Sequence, residues 1–341
     1  MPVDVYFRAL ERSFSVSSTA LEMTLFGNTI TIQWYGVIIA FGFTLAVLFG
    51  GRMAYKWKMS LDKMIDVLIG GTIGGVLGAR LFYIMFNWNA VNSFGDIFRI
   101  WEGGLAIYGG IIGGLLGAFI VTRFNKLNFL NLMDLAGMSF LIGQGIGRWG
   151  NFTNQEAFGT NTNLPWGMWS ERTAQYITFH QATFAQHGIE AIPGTLAERA
   201  YVHPTFLYES LWVLACFGFM YLFCRKWRSF SGQMILLYGV LYGAGRFVIE
   251  GLRLDALFIG NSNIRISQLL SLLLVLGCGA AFVYFTLHFK KHPKPIEGID
   301  FFPGEKKAEP ETAEESAEHT EELQPEQPEQ PEEESPDEPI A

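Results

Sequence analysis

The stretch ISQLLSLLLVLGCGAAFVYFTLH, residues 266–288, decides the fold class of this chain. It contains no aspartate, glutamate, lysine or arginine. A helix needs about 20 apolar residues to cross the hydrocarbon layer of a bilayer, because each residue advances the helix by about 1.5 Å. The stretch therefore predicts a membrane-spanning helix.

Six similar stretches precede it, so we expect an all-α polytopic membrane protein with seven transmembrane helices. The predicted spans are 34–54, 64–86, 104–122, 132–149, 205–224, 233–252 and 266–288. They divide the chain into an outer N-terminal segment at 1–33, a membrane domain at 34–288 and a tail at 289–341. The loop at 150–204 is long enough to form a cap, with a short amphipathic helix around 171–187.

Lysine and arginine orient these helices. They are concentrated in the loops 52–63, 123–131 and 225–232 and at the start of the tail, whereas the alternating segments contain few of them. Basic loops stay on the cytoplasmic side of a membrane. We therefore expect the N-terminus outside, the C-terminus in the cytoplasm, and the cap at 150–204 on the periplasmic or extracellular side.

The composition fits a membrane protein. Half of the 341 residues are hydrophobic, and the mean hydropathy is +0.24. The net charge of −8 arises in the tail, where residues 305–341 hold 15 acidic side chains against two lysines. This Glu- and Pro-rich segment is expected to be disordered from about residue 303. No basic stripe with interleaved aromatic residues points to a nucleic-acid partner.

Several common kinds of site find no support. Cys216, Cys224 and Cys278 lie in apolar spans without a CxxC pair or a Cys/His cluster, so we expect neither disulfides nor zinc nor a cysteine nucleophile. No HExxH, acidic metal motif or Ser/His/Asp arrangement can be assembled, so we expect no metal and no cofactor. The first 30 or so residues contain no apolar run that would serve as the core of a signal peptide.

Five charged residues lie within or beside the predicted spans: Arg80, Arg148, Glu209, Arg246 and Glu250. An ionised side chain at the centre of a bilayer costs about 2.5–3.5 kcal/mol on insertion scales, so such residues usually have a function. The predicted orientation places all five toward the outer face. We therefore predict one polar site at that face.

Two segments give this site its chemistry. Arg246 and Glu250 are four residues apart, so they share a helix face with Tyr242 and can pair; the alternative is a pair that only neutralises itself. Arg148 lies in GRWGNFTNQEAFG, residues 147–159, where amides and backbone N–H groups beside a guanidinium suit a phosphate. The alternative there is an ordinary polar loop.

Two further patterns have structural alternatives. HPTFLYE, residues 203–209, places His203 and Glu209 at a helix start, either as support for the site or as anchors. Glycines recur every four residues, which favours close helix packing and, as the alternative, a flexible gate. These glycines are Gly70, Gly74 and Gly78; Gly109, Gly113 and Gly117; Gly143 and Gly147; Gly239 and Gly243.

Together these segments resemble the bacterial prolipoprotein diacylglyceryl transferase family, from about Trp34 to about Arg265. The resemblance is carried, in the family's order, by IQWYG (32–36), WEGGLAIYGG (101–110), GIGRWGNFTNQEAFG (145–159), HPTFLYE (203–209) and GRFVIEGLR (245–253). It implies an enzyme of the bacterial cytoplasmic membrane that moves the diacylglyceryl group of phosphatidylglycerol to the lipobox cysteine of a prolipoprotein. The implied products are a thioether and glycerol phosphate.

The resemblance also implies roles for individual residues. By motif position, the expected catalytic residues are Arg148, Arg246, Glu250 and Tyr108, and the expected lipid-binding residues are Arg148, Asn151, Glu156, Gly159, Tyr35, Arg246 and Tyr242. Arg80, His203 and Glu209 are expected to support the site. Arg148 and Arg246 would clamp the lipid phosphate and stabilise it as it leaves.

One position departs from the family pattern. Many members carry histidine, proposed as the general base, where this chain has Tyr108. A tyrosine is a poor base at neutral pH. Either another group takes the thiol proton, or neighbouring arginines favour the thiolate without a dedicated base, which leaves Tyr108 to donate a hydrogen bond to the lipid.

Three other functions remain to be compared. A transporter or flippase would explain intramembrane charges and glycine-rich helices, but it predicts polar residues throughout the bilayer depth and an inverted repeat. A lipid phosphotransferase predicts acidic metal-binding clusters. A structural scaffold leaves the arginines unexplained.

Overall fold

The structure, a computed structural model, describes residues 2–25, 28–88, 93–100, 103–195, 197–198, 200–260, 262–292 and 296. Its helices are α1 (Trp34–Lys56), α2 (Leu61–Phe86), α3 (Ile107–Phe124), α4 (Phe129–Asn154), α5 (Glu171–Gln186), α6 (Thr205–Trp227), α7 (Gln233–Glu250) and α8 (Ile266–Lys291), with a 3₁₀ turn at Phe94–Phe98. Trp101, Glu102 and the tail predicted to be disordered lie outside the described residues.

Among the described residues, six helices are long and apolar enough to cross a membrane: α1, α2, α3, α4, α6 and α8. This confirms a mostly helical, polytopic membrane protein. Helix α7 coincides with the predicted span 233–252 but is less apolar, because its 18 residues include Gln233, Arg246 and Glu250. Arg246 and Glu250, which the sequence analysis selected as candidate site residues, are among the residues that reduce its hydropathy.

Five short strands, absent from the all-α prediction, occupy the N-terminal segment and the cap: β1 (Val3–Phe7), β2 (Arg12–Val16), β3 (Thr19–Leu25), β4 (Asn28–Gln33) and β5 (Met168–Ser170). Strand β1 pairs antiparallel with both β2 and β5, and β3 pairs antiparallel with β4. Strand β4 ends at Gln33 and α1 begins at Trp34, so the β3–β4 hairpin is joined directly to the first membrane helix.

The cap has a hydrophobic core of its own. Val5 of β1, Met168 of β5, Ile177 of α5 and Phe206 of α6 are buried together with Val202. Helix α5 confirms the short helix predicted around residues 171–187, and Ser170 caps it by accepting a hydrogen bond from the Thr173 N–H at 3.2 Å. Because the core includes the start of α6, the cap is fixed to the membrane helices.

Helices α2 and α3 pack backbone against backbone along the predicted glycine faces. A Cβ atom added at Gly113 would lie 2.2 Å from the Gly74 carbonyl oxygen, and one at Gly78 would lie 2.4 Å from the Gly109 carbonyl oxygen. Gly239 and Gly243 also face α8, where Gly239 lies against the Cys278 side chain and Gly243 against Val275 and the Ser271 carbonyl oxygen. The packing interpretation is therefore confirmed for these residues, whereas Gly147 has no neighbour within 4 Å of an added Cβ.

A buried ion pair joins four helices at one end of the protein. Asp134, in the second turn of α4, is fully buried, and its Oδ2 lies 2.6 Å from Arg228 Nη2. Asp134 also accepts hydrogen bonds from the Gly232 and Ile235 N–H groups at 2.9 Å each, and the Arg228 guanidinium lies over the Trp57 ring. The sequence does not indicate this pair, because Arg228 lies in a loop whose basic residues served only to orient the helices.

Candidate functional site

The carboxylate of Glu209 is the centre of a charged cluster at the opposite end of the helices. Glu209 lies in the second turn of α6 and is 5% exposed. Its Oε2 lies 2.5 Å from Arg148 Nε, and its Oε1 lies 2.8 Å from Arg246 Nη1 and 3.2 Å from Arg253 Nη1. One carboxylate therefore holds together the end of α4, the end of α7 and the loop that follows α7.

The carboxylate of Glu250 is a second partner of Arg246. Arg246 Nη2 lies 2.7 Å from Glu250 Oε2, although the geometry is not that of a directed hydrogen bond, so the contact is ionic. Arg265 donates to the backbone carbonyl of Glu250. The predicted pairing of Arg246 with Glu250 is thus present, and Glu209 is the partner at the other terminal nitrogen of the guanidinium.

The cluster carries more positive than negative groups. Arg148, Arg246, Arg253 and Arg265 are four guanidinium groups, and the carboxylates in direct contact with them, or with a neighbouring backbone, are Glu209, Glu250 and Asp255. Asp255 pairs with Arg253 through two hydrogen bonds of 2.9 and 2.7 Å. Among the described residues in these contacts, the positive charges exceed the negative ones by one, which suits an anionic ligand.

The motif around Arg148 forms a chain of polar contacts that leads away from the cluster. Arg148 Nη1 donates to Asn151 Oδ1 at 3.3 Å, and Asn151 Nδ2 donates to Glu156 Oε1 at 2.8 Å. Gly159 lies at a close crossing, where an added Cβ would be 2.8 Å from His203 Cβ and 2.9 Å from the Leu252 carbonyl oxygen. The structure thus gives Asn151 and Glu156 a place beside the arginine, and gives Gly159 a packing role.

The remaining predicted residues have different surroundings. Tyr35 packs on Gly150, where an added Cβ would lie 2.8 Å from its ring. Tyr242 stacks on Tyr238 with ring centroids 5.5 Å apart. His203 Nδ1 lies 3.0 Å from the Tyr208 hydroxyl, which also accepts from Trp166 of the cap, and burial lowers the pKa of His203.

Arg80 and Tyr108 also lie outside the cluster. The hydrogen bonds of Arg80 go to backbone carbonyls of Asp96, Ile97, Gly103 and Gly104, so it holds the segment between α2 and α3 in place. Tyr108 lies in the first turn of α3 with half of its surface exposed, and the described residues give it no hydrogen bond to the arginines. Four of the five predicted charged residues therefore meet, and Arg80 does not.

Sequence reasoning missed Arg253, Arg265 and Asp255. They lie in the connection between α7 and α8, outside the spans, so the cost of burying charge in hydrocarbon gave no signal for them. Arg253 is the last residue of the motif GRFVIEGLR, and its place in that motif was the one indication in the sequence that it belongs to the site.

A cavity of about 320 Å³ opens beside the cluster between α1 and α4. Its lining is largely apolar, with Arg148 and Asn151 at one end: Ile39, Phe43, Ala46, Ser139, Phe140, Gly143, Gln144, Gly147, Arg148 and Asn151. Among the described residues, no group of three histidine, cysteine, aspartate or glutamate side chains is placed to hold a metal ion.

Comparison with known proteins places the chain in a family. The sequence profile described as prolipoprotein diacylglyceryl transferase matches residues 23–284, from strand β3 into helix α8. The chain belongs to this family. The motif segments around Tyr35, Arg148, His203 and Arg246 meet at the end of the helices where Glu209 lies.

Individual relatives support the assignment over most of the chain. The phosphatidylglycerol–prolipoprotein diacylglyceryl transferase of Thermotoga maritima is 39% identical over 247 residues, which cover 72% of this chain and 78% of that protein. The protein of the same name from Clostridioides difficile is 38% identical over 267 residues, 78% of this chain and 95% of that protein. The protein of the same name from Chloroflexus aggregans is 36% identical over 295 residues, which cover 82% of this chain and 91% of that protein.

Proposed function

We propose that this protein transfers the diacylglyceryl group of phosphatidylglycerol to the thiol of the lipobox cysteine of a prolipoprotein. The observation that carries the proposal is the Glu209-centred arginine cluster at the end of an apolar cavity, in a chain of the prolipoprotein diacylglyceryl transferase family. A cavity of this kind fits a substrate with an anionic headgroup and apolar chains. The protein is accordingly a transferase of lipoprotein biosynthesis.

The reaction is a displacement at the sn-3 carbon of the lipid. The cysteine sulfur forms a bond to that carbon, the carbon–oxygen bond to phosphate breaks, and the electron pair leaves with the oxygen of glycerol phosphate. Arg148 and Arg246 bind the phosphate and stabilise the charge that develops on it. The same positive field favours the thiolate, so the thiol gives its proton to solvent water before the attack.

Carboxylates keep the arginines ready for this role. Glu209 and Glu250 hold the Arg246 guanidinium from two sides, which fixes its orientation before the lipid arrives. Asn151 and Glu156 extend from Arg148 and bind the glycerol headgroup. Tyr108 donates a hydrogen bond to the lipid from the start of α3, while Arg80 and His203 support the surrounding segments.

The membrane placement follows from the distribution of basic residues. With α7 as the additional span, seven helices cross the cytoplasmic membrane of a bacterium, the N-terminus and the cap lie outside, and the C-terminus lies inside. The Glu209 cluster then faces the outer leaflet and the Asp134–Arg228 pair faces the cytoplasm. The acidic tail remains on the cytoplasmic side.

The direct test is incubation of the purified protein with phosphatidylglycerol and a lipobox peptide, followed by mass spectrometry. We expect the peptide to gain the mass of one diacylglyceryl group, and the gain to disappear when the peptide cysteine is replaced by serine. No gain with folded, lipid-bound protein would refute the proposed transfer.

A further inference from the structure

The cavity beside Arg148 contains a polar side chain that the arginine cluster does not use. Gln144 precedes Arg148 by four residues, so it lies on the same face of α4, about 6 Å deeper along the helix. Both residues line the cavity. Gln144 is therefore placed one helical turn below the phosphate-binding end, where the walls become apolar.

The hydrogen bonding of Gln144 is incomplete. Its Nε2 donates to the Tyr238 hydroxyl at 2.9 Å, while its Oε1 is buried and has no hydrogen-bond partner among the described residues. An unpaired amide atom in an apolar environment is costly, so a partner from a ligand is favoured. Gln144 can therefore form a further hydrogen bond with a ligand.

Glycines leave room for a ligand beside this amide. Gly143 and Gly147 line the same cavity, and an added Cβ at Gly147 would meet no atom within 4 Å. The opposite wall is formed by Ile39 and Phe43 of α1. The cavity thus offers an end with Arg148 and Asn151, the Gln144 amide at intermediate depth, and a remainder that is apolar apart from Ser139.

We propose that Gln144 binds an ester carbonyl of the diacylglyceryl group while Arg148 binds the phosphate. The inference rests on the proposed function and adds a recognition group to the same site. In a glycerophospholipid the ester linkages follow the phosphate within a few bonds and precede the apolar chains, in the order in which Arg148, Gln144 and the apolar walls occur along the cavity.

The chemistry of the amide matches that of the ester. An ester carbonyl only accepts hydrogen bonds, so Gln144 must offer an N–H group. Rotation about its last side-chain torsion exchanges the amide oxygen and nitrogen, which are nearly equal in size. After this rotation the Tyr238 hydroxyl donates to Oε1. The amide N–H groups then occupy the position where Oε1 had no partner, and they can donate to the ester carbonyl.

The proposed contact has a consequence for the reaction. The sn-3 carbon lies between the phosphate and the esters, so contacts on both sides fix the orientation of the carbon that the thiolate attacks. The enzyme should accordingly prefer a diester lipid over a diether lipid with the same headgroup and chains, because an ether oxygen is a much weaker acceptor.

The test compares transfer from diester and diether phosphatidylglycerol of equal chain length to the lipobox peptide. We expect the wild-type protein to show a kcat/KM that is about 5–10-fold higher with the diester lipid, the effect of one buried hydrogen bond. In Gln144→Leu this ratio should fall to about 1, because kcat/KM drops with the diester lipid to the value for the diether lipid, which itself stays unchanged. Tyr238→Phe, which releases the amide, should lower the ratio in part.

The matched control is Gln268→Leu, which removes an amide on α8 that donates to the Phe247 carbonyl at 3.0 Å, away from the cavity. It should keep the wild-type ratio. Equal losses with both lipids in Gln144→Leu, or a wild-type ratio of about 1, would overturn the ester contact while leaving the transferase intact. Absence of transfer from both lipids by the wild-type protein would overturn the proposed function and the ester contact with it.

Discussion

At the scale of single residues, Glu209 determines the geometry of the site. Its two carboxylate oxygens reach Arg148, Arg246 and Arg253, which come from three separate segments. Three guanidinium groups close together would repel one another without a shared anion. Glu209 therefore positions the arginines, although the sequence alone suggested no more than a supporting role.

Replacing Glu209 by Gln should lower kcat/KM of transfer by about 10–100-fold, because charged hydrogen bonds of about 1.5–3 kcal/mol each are lost from Arg148 and Arg246. The amide keeps the shape of the side chain, so the protein should still fold. The measurement is steady-state transfer to the lipobox peptide by folded protein.

Asp255→Asn is the matched control, because Asp255 contacts Arg253 alone among the cluster arginines in the described structure and is about a third exposed. Its loss should change kcat/KM by less than about 5-fold. An equal effect of the two variants would contradict a central role of Glu209.

The sequence predicted the residues of the site only where burial of charge gave a signal. Arg148, Arg246, Glu209 and Glu250 were found in this way, and they meet. The same argument also selected Arg80, whose charge is satisfied by nearby carbonyls. The cost of a buried charge reveals that a partner is needed but not whether that partner is a ligand or the local backbone.

At the scale of secondary-structure elements, the α2–α3 pair shows how glycine spacing translates into packing. Gly113 faces the α2 backbone directly, while Gly110 on the same helix has its nearest neighbour, Ala79 Cβ, at an ordinary 3.6 Å. Spacing by four predicted which faces meet. It could not predict which glycines are in backbone contact, because that depends on the crossing geometry.

Gly113→Ala should destabilise the protein by about 1–3 kcal/mol, because the new methyl group would overlap a backbone carbonyl that cannot move alone. Gly110→Ala should be neutral or slightly stabilising, since alanine is the better helix former. Thermal unfolding in detergent compares the two variants. A loss of stability in both, or in neither, would contradict the backbone packing.

The strands were the elements that the sequence analysis missed. Thr29, Ile30, Thr31 and Ile32 alternate between polar and apolar residues, which is a strand signal, but the hairpin is too short to stand out beside seven apolar helices. The pairing of β1 with β5 joins segments more than 150 residues apart, and nothing local in either segment indicates it.

At the scale of the whole molecule, two charged clusters lie at opposite ends of the helices. The Glu209 cluster borders a cavity, whereas Asp134 and Arg228 are enclosed by α4, α6 and α7 and covered by Trp57. A transporter would need polar groups along the path between the ends. The described pairs instead suggest one reactive end and one structural end.

Arg228→Met should lower stability by about 3–5 kcal/mol, because it leaves the Asp134 carboxylate buried without its partner charge. Arg52→Met, which replaces an exposed basic residue near the end of α1 on the same side, should change stability by less than about 0.5 kcal/mol. The folded fraction of Arg228→Met should retain transfer activity, since the pair is remote from the site. Loss of transfer in folded protein would contradict the separation of the two ends.

Binding and stabilisation of the lipid phosphate by the arginine cluster during transfer is the central step of the proposed mechanism. The decisive measurement is diacylglyceryl transfer to the lipobox peptide by Arg246→Ala, with Arg123→Ala at the far end of α3 as control. We predict that Arg246→Ala loses transfer by more than about 100-fold, as expected for removal of a preorganised charge, while the control is unaffected. Near-normal transfer by folded Arg246→Ala protein would contradict the account.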